Sequence, residues 1–170
     1  LVVFHFDMVG VGEPTTLDNM YWPLEPGTVF TYFAETEDGC EWNLIEDAGA
    51  LADAFTGGDF TGDYQMDIRV ILDREWLDED VDCEESDPMA GDLKEITYDW
   101  YAIDDDDNIW YMGEDTWDVE EESDEGSFAA GCNGAEPGIV ILGGVPSKGT
   151  FYQQEYYEEE AEDWGKVLNY

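Results

Sequence analysis

Basic side chains are scarce in this 170-residue sequence, which has five Lys and Arg against 45 Asp and Glu and a formal net charge of −40. Nucleic-acid binders need basic surfaces to displace counterions from phosphates, so that class of partner is excluded. Anionic membrane surfaces are excluded for the same electrostatic reason. Molar salt or bound divalent cations would relieve the repulsion within so acidic a fold. We therefore expect a salty or cation-rich environment.

Histidine is also nearly absent, since His5 is the one histidine of the chain. Ser-His-Asp triads, Cys-His dyads and two-histidine metal sites are thereby excluded. No GxSxG, HExxH or P-loop motif occurs either. Glycosidase-like pairs of carboxylates arise by chance among 45 acids and carry no information. We expect a protein that is not an enzyme.

Long apolar runs are missing, and we therefore expect no transmembrane segment. The start of the sequence, LVVFHFDMV, is apolar but has no initiator Met and no basic flank. These features are typical of a mature chain after signal removal. The expected location is extracellular or on the cell surface.

The three cysteines have no CxxC spacing, which excludes zinc-ribbon, thioredoxin-like and haem-attachment sites. Cys40 and Cys83 lie in similar acidic, turn-like contexts, DGCEW and VDCEE. They could form a disulfide in an oxidising compartment, with three unpaired thiols as the alternative. Cys132 would then remain as a thiol or bond to another subunit.

Short segments rich in β-branched and aromatic residues recur between Gly, Pro and Asp turns, which predicts strands. The clearest are residues 28–35, 66–77, 93–103, 108–119 and 150–157. Helical spacing occurs once, in LIEDAGALADAF, and predicts a short helix over residues 44–55. The expected fold is mainly β: an antiparallel meander forming a curved sheet, sandwich or open barrel.

The domain organisation follows from the apolar N-terminus and the turn-rich stretch behind it. Residues 1–8 read as an apolar strand, residues 9–18 as a linker, and residues 19–170 as a single β domain. No internal repeat is present.

Four sequence patterns carry a resemblance to known proteins. They are NMYWPLEPGT at 19–28, TYDWYAIDDDDNIWYMGEDT at 97–116, AGCNGAEPGI at 130–139 and YQQEYYEEEAED at 152–163. Together they resemble a family of exported bacterial and archaeal domains, often lipoproteins, that has no assigned activity. Met20 replaces the family's usual Pro, and Asp107 replaces its turn Gly. The resemblance therefore implies a fold and export rather than a chemistry.

The acidic run DDDDN between two aromatic strands is the first candidate metal site, through Asp104, Asp106 and Asn108. An EF-hand loop needs Gly at its sixth position and Glu at its twelfth, where this sequence has Ile109 and Asp115. An EF-hand is thus excluded, while a looser Ca²⁺ site and a solvated hairpin tip remain as alternatives.

A second candidate cation site is the loop GGDFTGDYQMD, through Asp59 and Asp63. The loop is rich in carboxylates and bent by glycines. Ca²⁺ is the one cofactor that the sequence suggests.

Aromatic residues of the same hairpin, Trp100, Trp110 and Tyr111, have two interpretations. They could form a stacking platform for a sugar, or cross-strand pairs in the core of the sheet. A platform would make the protein a monomeric cell-surface module that binds a glycan or small ligand through residues 96–117.

The apolar N-terminal strand is the most suggestive feature for function. Its apolar residues are Leu1, Val2, Val3, Phe4 and Phe6. The strand could pair within its own domain, or it could add to the sheet edge of a neighbour and build a homo-oligomer or filament. We expect a structural subunit of an extracellular or surface assembly that cations stabilise.

Overall fold

The computed structural model describes residues 17–24, 27–48, 68–79, 83, 87, 89, 91–159 and 161–168. Within these residues the chain forms twelve strands and no helix. The strands are β1 Leu17–Asn19, β2 Trp22–Leu24, β3 Val29–Glu35, β4 Cys40–Asp47, β5 Arg69–Asp78, β6 Asp92–Ile103, β7 Ile109–Asp118, β8 Phe128–Ala129, β9 Glu136–Ile141, β10 Phe151–Gln153, β11 Glu155–Tyr156 and β12 Trp164–Lys166.

Eight strands form one curled antiparallel sheet, a half-barrel, with the order β11-β9-β7-β6-β5-β4-β3 and with β8 beside β7. From β3 to β7 each strand pairs with its neighbour in sequence, so the predicted meander is confirmed. A small hairpin, β1-β2, and a two-stranded antiparallel sheet, β10-β12, complete the described structure. The mainly β fold class predicted from the sequence is therefore correct.

The predicted helix over residues 44–55 is wrong where it can be compared. Residues 44–47 belong to β4, which pairs with β3 on one side and β5 on the other. Residues 49–55 lie outside the described residues. The helical pattern began at Leu44 and Ala48, but hydrogen bonding to two long neighbours satisfies the backbone of β4 along its whole length. Tertiary pairing thus overrides the local spacing.

Residues 17 and 18, which the sequence assigned to a linker, lie in β1. The rest of that linker and residues 1–8 precede the described residues. In the β1-β2 hairpin, Trp22 packs edge-on against Tyr101, with their ring centroids 5.0 Å apart. This contact attaches the hairpin to the main sheet.

The two faces of the sheet carry separate hydrophobic clusters. We call the face with Ile71, Tyr101, Ile109 and Tyr111 the inner face, because partly buried residues from β3 to β9 pack against that cluster. The outer face carries a smaller cluster, whose buried members are Val70, Trp100, Ala102, Met112 and Ala130. Strand β6 alternates between the two faces, with Trp100 and Ala102 in the outer cluster and Tyr101 and Ile103 in the inner one.

Strand β8 pairs with β7, and Gly113 lets the two strands approach closely. Gly113 has a φ of 142°, and a Cβ there would lie 2.3 Å from the carbonyl oxygen of Phe128. Any other residue would push β8 away. Phe128 in turn meets the ring of Tyr111 edge-on at 5.4 Å.

The predicted disulfide between Cys40 and Cys83 is present, with a Cα–Cα distance of 5.4 Å. It joins the start of β4 to the acidic connection that follows β5. Cys132 is half-buried and lies outside this bridge. Among the described residues no helix has the length and apolarity to cross a membrane.

Candidate functional sites: hairpin tip, open edge and carboxyl cluster

The DDDD run forms the tip of the β6-β7 hairpin, and the carboxylate of its first residue accepts hydrogen bonds within the turn. Asp104 Oδ1 accepts hydrogen bonds from the backbone N–H groups of Asp106 (3.0 Å) and Asn108 (2.9 Å). Asp104 Oδ2 accepts a hydrogen bond from the indole of Trp110 at 2.7 Å. A carboxylate that bonds its own following backbone is a standard way to fix a turn.

The tip is also held from outside the hairpin. The buried side chain of Asn19 donates to the carbonyl of Asp107 at 2.7 Å, and Gly143 N–H donates to Asn108 Oδ1 at 2.8 Å. A Cβ on Gly143 would lie 1.9 Å from the carbonyl oxygen of Asp106, so that position requires glycine. Asp107 has a φ of 63°, the left-handed conformation favoured by the glycine that the resembling family has there.

Of the predicted metal ligands, Asp104, Asp106 and Asn108 are thus brought together in the turn, where the Asp104 carboxylate accepts from the backbone of Asp106 and from the backbone and side chain of Asn108. No group of three or more His, Cys, Asp or Glu side chains suited to a metal occurs in the part of the chain that the structure describes. Asp59 and Asp63 lie outside the described residues.

The aromatic residues named as a sugar platform lie in the sheet. Trp100 and Tyr111 are each 8% exposed. Tyr111 stacks on Tyr101 at 5.1 Å, while the half-buried Trp110 bonds to Asp104. Of the two interpretations, Tyr111 thus shows the cross-strand pair and Trp100 the burial expected of a core.

Strand β3 ends the sheet, and within the described residues its second side has no partner strand. At both ends of β3 the hydrogen bonds toward β4 are made by even-numbered residues, Thr28 and Thr36. Because these groups alternate along an antiparallel strand, the N–H and C=O groups of Val29, Thr31 and Phe33 point to the open side. Such an edge is a template for another strand.

The side chains of this edge are apolar and accessible. Val29 is 53% exposed, and Tyr32 and Phe33 are each 46% exposed. Natural edge strands are commonly protected by charge, proline or a bulge. From Val29 to Ala34 the strand has no charged residue and no proline, and its pairing with β4 has no register shift.

The residues predicted to mediate assembly, Leu1, Val2, Val3, Phe4 and Phe6, lie outside the described residues.

A cluster of carboxyl groups occupies the inner face beside the aromatic core. Asp99 on β6 and Glu114 on β7 are directly opposite each other. The hydroxyl of Tyr111 lies between them, 2.5 Å from Asp99 Oδ1 and 2.7 Å from Glu114 Oε2. Asp99 is only 7% exposed. These three residues therefore form a hydrogen-bonded triad across two neighbouring strands, with the Tyr111 hydroxyl at its centre.

Burial changes the protonation of the triad. It raises the pKa of Asp99 to about 8 and the pKa of Glu114 to about 6, because water is excluded from the charged forms. Neighbouring carboxylates act in the same direction, while the Tyr111 hydroxyl opposes it. The pKa of Tyr111 itself is raised well above 10, so its proton is retained.

Acids on two further strands lie near the triad. Burial raises the pKa of Asp73 on β5 to about 6 and that of Glu155 on β11 to about 7, with Glu114 and Asp163 adding to the latter. Glu75 on β5 is also shifted upward, mainly by burial.

Sequence reasoning missed this cluster. The alternation of β6 does place Asp99 on the same face as Tyr101, which is a readable signal. The partner Glu114 depends on the register beyond an irregularity between Trp100 and Tyr101, and this cannot be read from the sequence.

No protein-family model, no curated protein and no solved structure matches this chain.

Proposed function

We propose that the protein is a non-enzymatic, exported structural subunit whose N-terminal segment adds as a strand to the β3 edge of a neighbouring copy. The observation that carries this proposal is the open, apolar and uncharged edge of β3. Donor and acceptor are different surfaces of one chain, so the contact is heterologous and repeats into a filament.

The hydrogen-bond capacity of the edge fits a donated segment of about six residues. Val29, Thr31 and Phe33 each offer one N–H and one C=O, and each bond contributes about 0.5–1.5 kcal/mol net. Six bonds give about 3–9 kcal/mol, and burial of half-exposed side chains adds to this. Association itself costs about 4–15 kcal/mol. The predicted assembly is therefore concentration-dependent.

Charge favours the same pairing. Residues 1–6, LVVFHF, contain no acid, and neither do residues 29–34, VFTYFA. Like charges directly opposite each other destabilise a strand pair. In a chain of net charge −40, two acid-free segments can approach with little local repulsion.

The disulfide supports the exported setting, because disulfides persist in oxidising compartments. Cations belong to the proposal as the means of neutralising the acidic faces of packed subunits. Ca²⁺ is the candidate ion. Monovalent salt would reduce the repulsion between acidic faces in a different way, by screening.

The inner-face triad supports a role other than hydrolysis. Glycosidases hold the scissile bond between two carboxyl groups. Here the hydroxyl of Tyr111 occupies the space between Asp99 and Glu114. Because Asp99 is also buried, a glycosidic bond would not fit between these two acids.

The test compares the full chain with a form that lacks residues 1–8, by sedimentation and electron microscopy over a range of concentrations in molar salt. The full chain is expected to assemble and the shortened chain to remain monomeric. Thr31→Pro should also block assembly, because it removes an outward N–H, whereas Thr31→Val keeps that donor and is the matched control. Assembly that persists without residues 1–8, or a full chain that is monomeric throughout, overturns the proposal.

A further inference from the structure

The Asp99, Tyr111 and Glu114 triad contains two hydrogen-bond contacts around one hydroxyl group. Its oxygen–oxygen distances are 2.5 Å and 2.7 Å. A phenol carries a single proton and can donate only one of these bonds. The second short contact requires a proton on a carboxyl group, since two ionised carboxylates would leave one of them facing a lone pair of the phenol oxygen.

The register of the sheet indicates independently that one of the two carboxyl groups is protonated. Asp99 and Glu114 are cross-strand partners on one face. Two ionised acids at such a position repel each other, and burial of Asp99 strengthens that repulsion because little water screens it.

Further charged groups surround the triad. Asp73 and Glu75 lie on the same face of β5 and Glu95 on that of β6, and Glu155 and Asp163 lie on β11 and in the segment after it. All five are acids. Arg69, the basic residue of β5 on this face, is engaged by Asp47 at 2.8 Å.

We propose that Asp99, Tyr111 and Glu114 form a proton-sharing clasp between β6 and β7, in which one carboxyl group stays protonated at neutral pH. In alkaline solution that proton passes to the solvent, and the contact between the two strands weakens. The clasp makes the folded subunit sensitive to pH through the inside of its sheet rather than through its acidic surface. It does not depend on how the subunits assemble.

Infrared difference spectroscopy tests the clasp directly, because a protonated carboxyl group has a C=O band separate from those of carboxylates. The full chain is titrated from acidic to alkaline pH in molar NaCl with chelator. The wild type is expected to keep a carboxyl proton at pH 7 and to lose it near pH 8. Asp99→Asn should remove the band that disappears at the highest pH, and Tyr111→Phe should move its midpoint upward because the carboxylate loses a donor.

Asp115→Asn is the matched control, because it removes an exposed acid from β7, the strand that carries Tyr111 and Glu114. It should leave the carboxyl band of the triad unchanged. Glu114→Gln provides a second variant at the more accessible end of the triad and should also change the band. Absence of a carboxyl band at pH 7 would overturn the proposal. A band that both Asp99→Asn and Glu114→Gln leave intact would overturn it as well.

Discussion

Replacing Asp99 by Asn should make the protein more stable at neutral and alkaline pH and should flatten its stability profile. An amide resembles the protonated acid, since it offers both an acceptor and a donor to the Tyr111 hydroxyl, but it cannot ionise. The native-state pKa of Asp99 is about 8 and its ordinary value is 3.8. In the wild type the folded state therefore holds a proton that the unfolded chain has released.

The sign of the effect follows from proton linkage. Between about pH 4 and pH 8 the folded state binds more protons, so the free energy of unfolding falls as pH rises. The stabilisation is fully present below the unfolded pKa and is lost as the pH rises through the folded pKa. One proton corresponds to about 1.4 kcal/mol per pH unit, or roughly 6 kcal/mol over the window, an upper limit because Glu114 shares the proton.

The assay is denaturant unfolding at fixed molar salt, from pH 5 to pH 9. The wild type should lose stability with rising pH, and Asp99→Asn should lose much less. Asp115→Asn is the control for net charge and should keep the wild-type slope. Equal slopes in the wild type and in Asp99→Asn would refute the reasoning, as would a wild type that becomes more stable toward alkaline pH.

Three further predictions concern other parts of the molecule. Cys40→Ser with Cys83→Ser should lower the free energy of unfolding by about 4 kcal/mol in denaturant titrations, because the bridge closes a loop with a sequence separation of 43; a change below about 1 kcal/mol would contradict this. Asp104→Ala should cost about 2–4 kcal/mol through its lost turn and indole hydrogen bonds, whereas the exposed neighbour Asp105→Ala should change stability by less than about 0.5 kcal/mol; equal costs would refute the structural role of Asp104. Circular dichroism should show loss of structure below roughly 0.1 M salt, because the Debye length there exceeds about 10 Å and the acidic groups repel one another over longer distances. Rescue by molar NaCl indicates screening, and rescue by millimolar CaCl₂ indicates bound cations. A protein that stays folded in dilute buffer with chelator contradicts both.

The strands that could be predicted from the sequence are those with strong alternation between clear turns. Strands β3, β6 and β7 fall within one or two residues of their predicted bounds. Strand β4 was missed because Leu44 and Ala48 fit a helical spacing. Its pairing with both β3 and β5, which favours a strand there, cannot be read from that spacing.

The candidate sites show the same limit. Neither the hydrogen bonds that tie Asp104 into its turn nor the closing contact of Gly143 has a signature in the spacing of the acids. The carboxyl triad depends on which strands are neighbours and on their register. With 45 acids in the chain, composition hides such a cluster. The Cys40–Cys83 pair could be predicted because two similar turn contexts marked it.

Hydrogen exchange at the amides of β3 tests strand addition most directly, because the strand contains its own control. The N–H groups of residues 30, 32 and 34 point toward β4 and should be protected in every form of the protein. The outward amides of Val29, Thr31 and Phe33 should be protected in the full chain at assembling concentrations and exchange rapidly once residues 1–8 are removed. Outward amides that exchange equally in both forms, or whose protection is independent of concentration, would contradict the donation of a strand from one copy to the next.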